Sequence, residues 1–118
     1  MDMGLLPEPL FLLFVLTDGN LLAGHPGTAA GLDAHLQMLP DDRHIEWAVC
    51  NHGGDIRGLA DKIIDEGGHI ALGLGDYPCS ESGLPDNAAL VAEVAARAAV
   101  LGRDVASPDD VRQLLAMA

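Results

Sequence analysis

The sequence predicts an α/β fold with a parallel sheet. Three apolar runs, each too short for a helix and each closed by turn residues, alternate with stretches of helical period, and capping residues stand where those helices would begin. Alternation of this kind argues for βα units joined by right-handed crossovers. The first run, residues 10–16 (LFLLFVL), is continuously apolar, as expected of a strand covered on both faces, and Thr17, Asp18, Gly19 and Asn20 stop it. A loop follows to Gly27. Thr28 can then cap a helix in which Ala29, Leu32, Leu36 and Leu39 recur until Pro40. Residues 45–50 (IEWAVC) read as the second strand, ending in Asn51, His52, Gly53 and Gly54. Asp55 can cap the next helix, which sets Ile56, Leu59, Ala60, Ile63 and Ile64 on one face and Asp61, Lys62 and Asp65 on the other. Gly67 and Gly68 terminate it.

The stretch 67–77 (GGHIALGLGDY) reads as the central strand of the protein, with Ile70, Ala71, Leu72 and Leu74 as its apolar run. After a loop from Pro78 to Pro85, Asp86 or Asn87 caps a long helix with Leu90, Val91, Val94, Ala98 and Leu101 as its stripe. The last helix carries Ser107 as cap, Pro108 at its first position, Asp109 and Asp110 near its positive end, then Val111, Leu114 and Leu115. The lead-in 1–9, with Pro7 and Pro9 framing Glu8, is not expected to be helical.

Composition limits what such a fold can do. The chain has 118 residues, 49% of them hydrophobic, and a formal net charge of -12, which fits an acidic globular domain and not a disordered one. Six scattered basic residues and 3% aromatics leave little to neutralise phosphates or stack on bases, so nucleic acid is not an expected partner. The apolar run 10–16 has no basic residue before it and is far shorter than a spanning helix, so neither a signal peptide nor a membrane anchor is expected and a cytoplasmic location is the default. Cys50 and Cys79 fit reduced thiols better than a disulfide framework, Cys50 as a buried small hydrophobe and Cys79 as an exposed loop residue. An open three-stranded sheet leaves two edges unpaired, and residues 10–16 carry neither charge nor proline to protect one, so a further strand is expected to pair there.

Candidate site residues fall at the strand ends, where parallel α/β proteins collect their chemistry. Asp76 closes the third run and reads either as a functional carboxylate or as a turn residue bonding nearby amides. Asp18 closes the first run, and Asn51 and His52 the second; His52 with Asp76 and Asp18, a trio from three strand ends, could supply a mixed His/carboxylate metal site or simply polar loops. Gly53 and Gly54 precede a helix, but Asp55 puts negative charge where a phosphate would sit, so helix entry is the favoured reading. His69 stands at the other end of its strand and reads as a structural hydrogen-bonding residue, while His25, His35 and His44 lack ligand spacing.

The ordered set PEPL (7–10), Trp47, GGH (67–69), GLGD (73–76), NAALV (87–91) and LGRDVASPDDVR (101–112) resembles the C-terminal part of the β-keto acid cleavage enzymes, which include the 3-keto-5-aminohexanoate cleavage enzyme. The resemblance extends over nearly the whole chain. It implies three parallel βα units and a C-terminal helix from the last part of an eight-fold β/α barrel, a TIM barrel of roughly 250 residues when complete. It also implies a zinc-dependent reaction in which a β-keto acid and acetyl-CoA give acetoacetate and a new CoA thioester. In that family a His-x-His pair and a Glu hold the metal, and the last-strand pattern reads RVGLED. Here the pattern is ALGLGD (71–76): Asp76 matches the family's Asp, implying a catalytic role, whereas Gly75 replaces the metal-binding Glu and Ala71 the Arg. No His-x-His occurs in the chain, so no metal ligand is assigned to it.

The leading expectation is thus a C-terminal segment or truncated relative of such an enzyme, one partial barrel domain over residues 1–118, inactive alone, with Asp76 catalytic and Asp18, Asn51 and His52 binding substrate. Its partners would be a β-keto acid, a CoA ester, and another copy or a separate barrel half. A non-catalytic scaffold that completes its sheet by association is the first alternative. A small metal hydrolase using His52 and the aspartates is the second.

Overall fold

In a computed structural model, residues 8–19, 24–83 and 85–117 are described. Most of the expected lead-in (residues 1–7) and residues 20–23 of the first loop lie outside them. The chain runs β1 (Leu10–Thr17), α1 (Ala29–Leu36), β2 (Ile45–His52), a 3-10 turn (Ile56–Leu59) continuing into α2 (Ala60–Asp65), β3 (His69–Ile70), a second 3-10 turn (Ser80–Ser82), α3 (Asn87–Val100) and α4 (Pro108–Leu114). The three strands are parallel in the order β1-β2-β3. This is an α/β fold compatible with part of a β/α barrel.

Helix starts follow the capping residues. Thr28, Asp55, Asp86 and Ser107 each accept a hydrogen bond from a backbone amide two or three residues on, which satisfies a donor that the first helical turn leaves free. Ser107 and Asp110 form a reciprocal capping box, with Pro108 in the first turn.

The 67–77 stretch is not the centre of the sheet. β2 is, and β3 lies at an edge with a ladder of only Ala48↔His69 and Val49↔Ile70. Ala71 still donates to the Val49 carbonyl, but the Asp76 and Tyr77 amides both turn back onto the Gly73 carbonyl, and that turn takes the chain out of the ladder.

Among the described residues, β1 is likewise covered on one face alone. Leu10, Phe14 and Leu16 point into the core, whereas Phe11, Leu13 and Val15 are 51%, 52% and 43% exposed. The buried side joins Trp47 and Val49 of β2 with Leu32, Ile56 and Ile63 from the helical layer. Complete burial of Leu16, Leu32 and Ile63 contributes roughly 2 kcal/mol each. Gly68 belongs to the same packing, because a Cβ there would lie 2.2 Å from the Trp47 indole.

α3 and α4 lie over β3 without closing on it. Leu90 and Ala98 are buried, but Val91 of the expected stripe is 54% exposed, and α4 buries none of its residues. Between them and Ile70 and Leu72 runs an apolar groove of about 540 Å³. Arg103 lines it and donates to the carbonyls of Ile64, Gly67 and Gly68. At the N-terminal end of the sheet, Glu46 accepts from His44 at 2.7 Å and His69 at 3.0 Å, so His69 has the structural role its position suggested. Among the described residues, no helix is long and apolar enough to cross a membrane.

Candidate active site at the strand ends

The expected residues Asp18, Asn51, His52 and Asp76 all come to one end of the sheet, because β1 and β2 end in register at Thr17↔His52 and the turn after β3 brings Asp76 alongside. The His52–Gly53 peptide unit joins the three ends: its carbonyl accepts from the Asp18 amide at 2.9 Å, and its N–H donates to the Asp76 carbonyl at 2.9 Å. Gly53 makes this possible with a φ of +85, a backbone conformation that a side chain disfavours. On either side of that peptide, His52 Nδ1 and Asp76 Oδ1 stand 3.7 Å apart, with half of the imidazole and about two fifths of the carboxylate side chain open to solvent. An accessible imidazole beside a carboxylate is a pair suited to moving a proton.

Asn51 and Asp18 lie behind this pair. Asn51 is 2% exposed and shares its strand face with Trp47 and Val49, not with His52. Its Nδ2 donates to Asp18 Oδ2 at 2.8 Å, and the Gly27 amide donates to Asp18 Oδ1 at 2.9 Å. The Asn51 bond first, and the Gly27 bond second, hold the Asp18 carboxyl below its usual range. Two glycines leave room for the pair: a Cβ on Gly27 would fall 2.1 Å from Asn51 Nδ2, and one on Gly54 would fall 2.1 Å from Asp18 Oδ2. Asn51 Oδ1 and Thr17 Oγ1 are buried polar atoms without a hydrogen-bond partner among the described residues.

Two residues read differently from their sequence positions. Cys79 is 4% exposed, not an open loop thiol; it takes a left-handed φ of 50, and burial first, then the Asp55 charge, push its thiol upward. The second is Arg57, which gave no isolated signal in the sequence. It grips both oxygens of Asp55 at 2.7–3.0 Å and reaches Glu93 at 2.6 Å and Ser82 at 2.9 Å, stapling the β2 loop to α3 and to the loop after β3. The one hint was the Asp55-x-Arg57 spacing, which permits an N-cap carboxylate to bind the guanidinium two residues later.

Arg57 also predicts a pH response. Its hydrogen bonds, partly opposed by burial, set the Asp55 carboxyl below the usual carboxylate range. A lowered folded-state value means that the stabilisation is present above about pH 4, the unfolded-chain value, and is lost as pH falls through the folded one. Urea unfolding between pH 6 and pH 2 should therefore show a shallower acid loss for Asp55→Asn than for the wild type; equal slopes would contradict it.

Donor geometry tests the metal expectation. Among the described residues, the one set of three ligand-type atoms within 4.8 Å of one another is Asp55, Cys79 and Glu81, not His52, Asp76 and Asp18. Asp55 in that set is already occupied by Arg57, and Asp18 by Asn51 and Gly27. Among the described residues, His52, Asp76 and Asp18 do not come together as a metal-binding set.

The beta-keto acid cleavage enzyme family model matches residues 1–117. The chain belongs to that family. A curated relative, the 3-keto-5-aminohexanoate cleavage enzyme of Fusobacterium nucleatum subsp. nucleatum, is 34% identical over 73 residues, covering 60% of this chain and 27% of the relative. The match thus spans about a quarter of that relative's length. For a β-keto acid cleavage enzyme family member the ends of the β-strands gain meaning: Asp76, at the close of ALGLGD, is the residue held against His52 by the His52–Gly53 peptide.

Proposed function

We propose that this chain supplies the acid/base end of a β-keto acid cleavage site, in which a β-keto acid and acetyl-CoA give acetoacetate and a CoA thioester. The observation that carries the reading is the 3.7 Å approach of His52 to Asp76 at the open strand ends of a family member. Asp76 orients the imidazole and offsets the positive charge it gains, while His52 accepts or returns the proton that moves as the carbon–carbon bond forms and breaks. Asp18 and Asn51 support this pair from behind.

The rest of the chemistry comes from outside these residues. Zinc in such a site would polarise the keto oxygen and hold enolate-like charge, but Gly75 offers no ligand where the family's Glu stands, and among the described residues His52, Asp76 and Asp18 do not form a converging set. Arg57, which lines a cavity with Asn51 and Asp76, is committed to Asp55, Glu93 and Ser82, so CoA phosphates are met elsewhere. We therefore read the exposed row Phe11, Leu13 and Val15 as a surface covered by complementing β/α units, from a separate barrel half or another copy. A non-catalytic scaffold would use the same face, but would give no reason for the His52–Asp76 approach.

Purified chain mixed with a β-keto acid, acetyl-CoA and zinc is expected to form no acetoacetate above the protein-free control. Sustained turnover by the chain alone would overturn this assignment of parts.

A further inference from the structure

One peptide unit does an unusual amount of joining here. A trans peptide is planar, so the direction of its C=O and that of its N–H are set together. In the His52–Gly53 unit the C=O is fixed by the Asp18 amide and the N–H by the Asp76 carbonyl. Rotating that plane would break both bonds and move the His52 side chain relative to Asp76. What stops the rotation is therefore whatever stops Asp18 from moving. The Asp18 backbone is held through its side chain, which accepts from Gly27 N on one oxygen and from Asn51 Nδ2 on the other. Asn51 is itself immobilised, 2% exposed and shut in by Gly27 and Gly54, each too close to admit a Cβ. A buried amide with one unsatisfied oxygen is an expensive way merely to end a strand, since an apolar residue would fill the position without that penalty.

We propose that Asp18 and Asn51 are positioning residues, locking the His52–Gly53 peptide plane and through it the placement of the His52 imidazole against the Asp76 carboxylate. The proposal rests on reading His52 and Asp76 as the reacting pair, but it makes a claim about geometry that is measured without turnover. Asp18→Ala removes both acceptors. Asp18→Asn keeps an oxygen for Gly27, and its amide group can meet Asn51 once the Asn51 amide turns over to present Oδ1. The two variants thus separate the lock from the charge.

The test is the effect of Asp76→Asn on the NMR signals of the His52 ring, recorded in three backgrounds well below each protein's unfolding temperature. The substitution is expected to displace the His52 signals in the wild type and in Asp18→Asn, and to leave them unmoved in folded Asp18→Ala. Retained coupling in folded Asp18→Ala, lost coupling in Asp18→Asn, or no coupling in the wild type would each overturn the proposal. A purely structural role would lower stability in Asp18→Ala without uncoupling the two side chains. Should Asp18→Ala not fold, native-state amide exchange on the wild type decides. The Gly27 amide, which bonds Asp18, and the Gly53 amide, which bonds Asp76, are then expected to open as one unit; a Gly53 amide that opens independently and more readily contradicts the lock. If the coupling holds but His52 and Asp76 prove irrelevant to turnover, the functional reading fails while the lock stands.

Discussion

Gly54→Ala is expected to destabilise the protein by about 3 kcal/mol, one of the largest effects of any single methyl group added to this chain. The new Cβ would sit 2.1 Å from Asp18 Oδ2 and 2.5 Å from Asn51 Nδ2, inside the hydrogen bond that joins them. It cannot be absorbed by a flexible side-chain end, because Asn51 is enclosed and Asp18 is held at its other oxygen by Gly27 N. The loss combines roughly 1–3 kcal/mol for overpacking with a similar amount for a buried amide left unpaired, less whatever the loop relaxes. Gly27→Ala crowds the same bond, with its Cβ 2.1 Å from Asn51 Nδ2 and 2.7 Å from Asp18 Oδ2, and should cost about as much. Since the bond can be broken only once, the double variant should lose clearly less than the sum of the two. Gly58→Ala is the control: nothing lies within 4 Å of its Cβ position, it is exposed, and it stands in a 3-10 turn, so a change of about 0.5 kcal/mol or less in the stabilising direction is expected. Urea unfolding of the four variants checks the set. A Gly54→Ala protein as stable as Gly58→Ala would remove the Asp18–Asn51 pair from any structural or positioning role.

Much of this fold was legible because its signals are local. Thr28, Asp55 and Ser107 cap the helices they were expected to cap, Asp86 is the cap of the two candidates Asp86 and Asn87, and residues 10–16 and 45–50 form strands that extend only to Thr17 and His52. Sheet order was harder to read. An apolar run does not say whether it lies in the middle or at an edge, and the glycine-rich turn that withdraws residues 71–76 from the ladder has the same residues that would close a buried strand. The face pattern of β1 was hidden for a related reason: seven consecutive apolar residues carry no alternation, so Phe11, Leu13 and Val15 cannot be told from Phe14 and Leu16 by sequence.

The strand ends were legible as a place and less so as an arrangement. Asp18, Asn51, His52 and Asp76 do gather at one end, but alternation along β2 sends Asn51 to the helix-facing side and His52 to the other. Four polar residues that look equivalent in sequence thereby separate into a front pair and a rear pair. Arg57 and Cys79 were missed for a different reason. Packing of α3 and the loop after β3 brings Glu93 and Ser82 to Arg57, and Asp55 near Cys79, and no short-range spacing records these approaches.

The largest functional effect is expected at Asp76, and it requires an assembly that cleaves. The chain should be combined with the portion of the Fusobacterium nucleatum relative that the match leaves uncovered, and acetoacetate formation followed from a β-keto acid and acetyl-CoA in zinc-containing buffer. Positioned acid/base groups contribute about 10²–10⁴-fold to a rate. Asp76→Asn keeps the shape of the side chain and the carbonyl bond to Gly53 N while removing the carboxylate beside His52, so its effect reports on the proposed acid/base pair and not on the turn. The measurement that bears most directly on the account is therefore kcat of this assembly with wild-type chain and with Asp76→Asn. Cleavage is expected from the wild-type assembly, with a fall of about 10²-fold or more in the variant and none by either component alone. Equal rates for wild type and Asp76→Asn would contradict it.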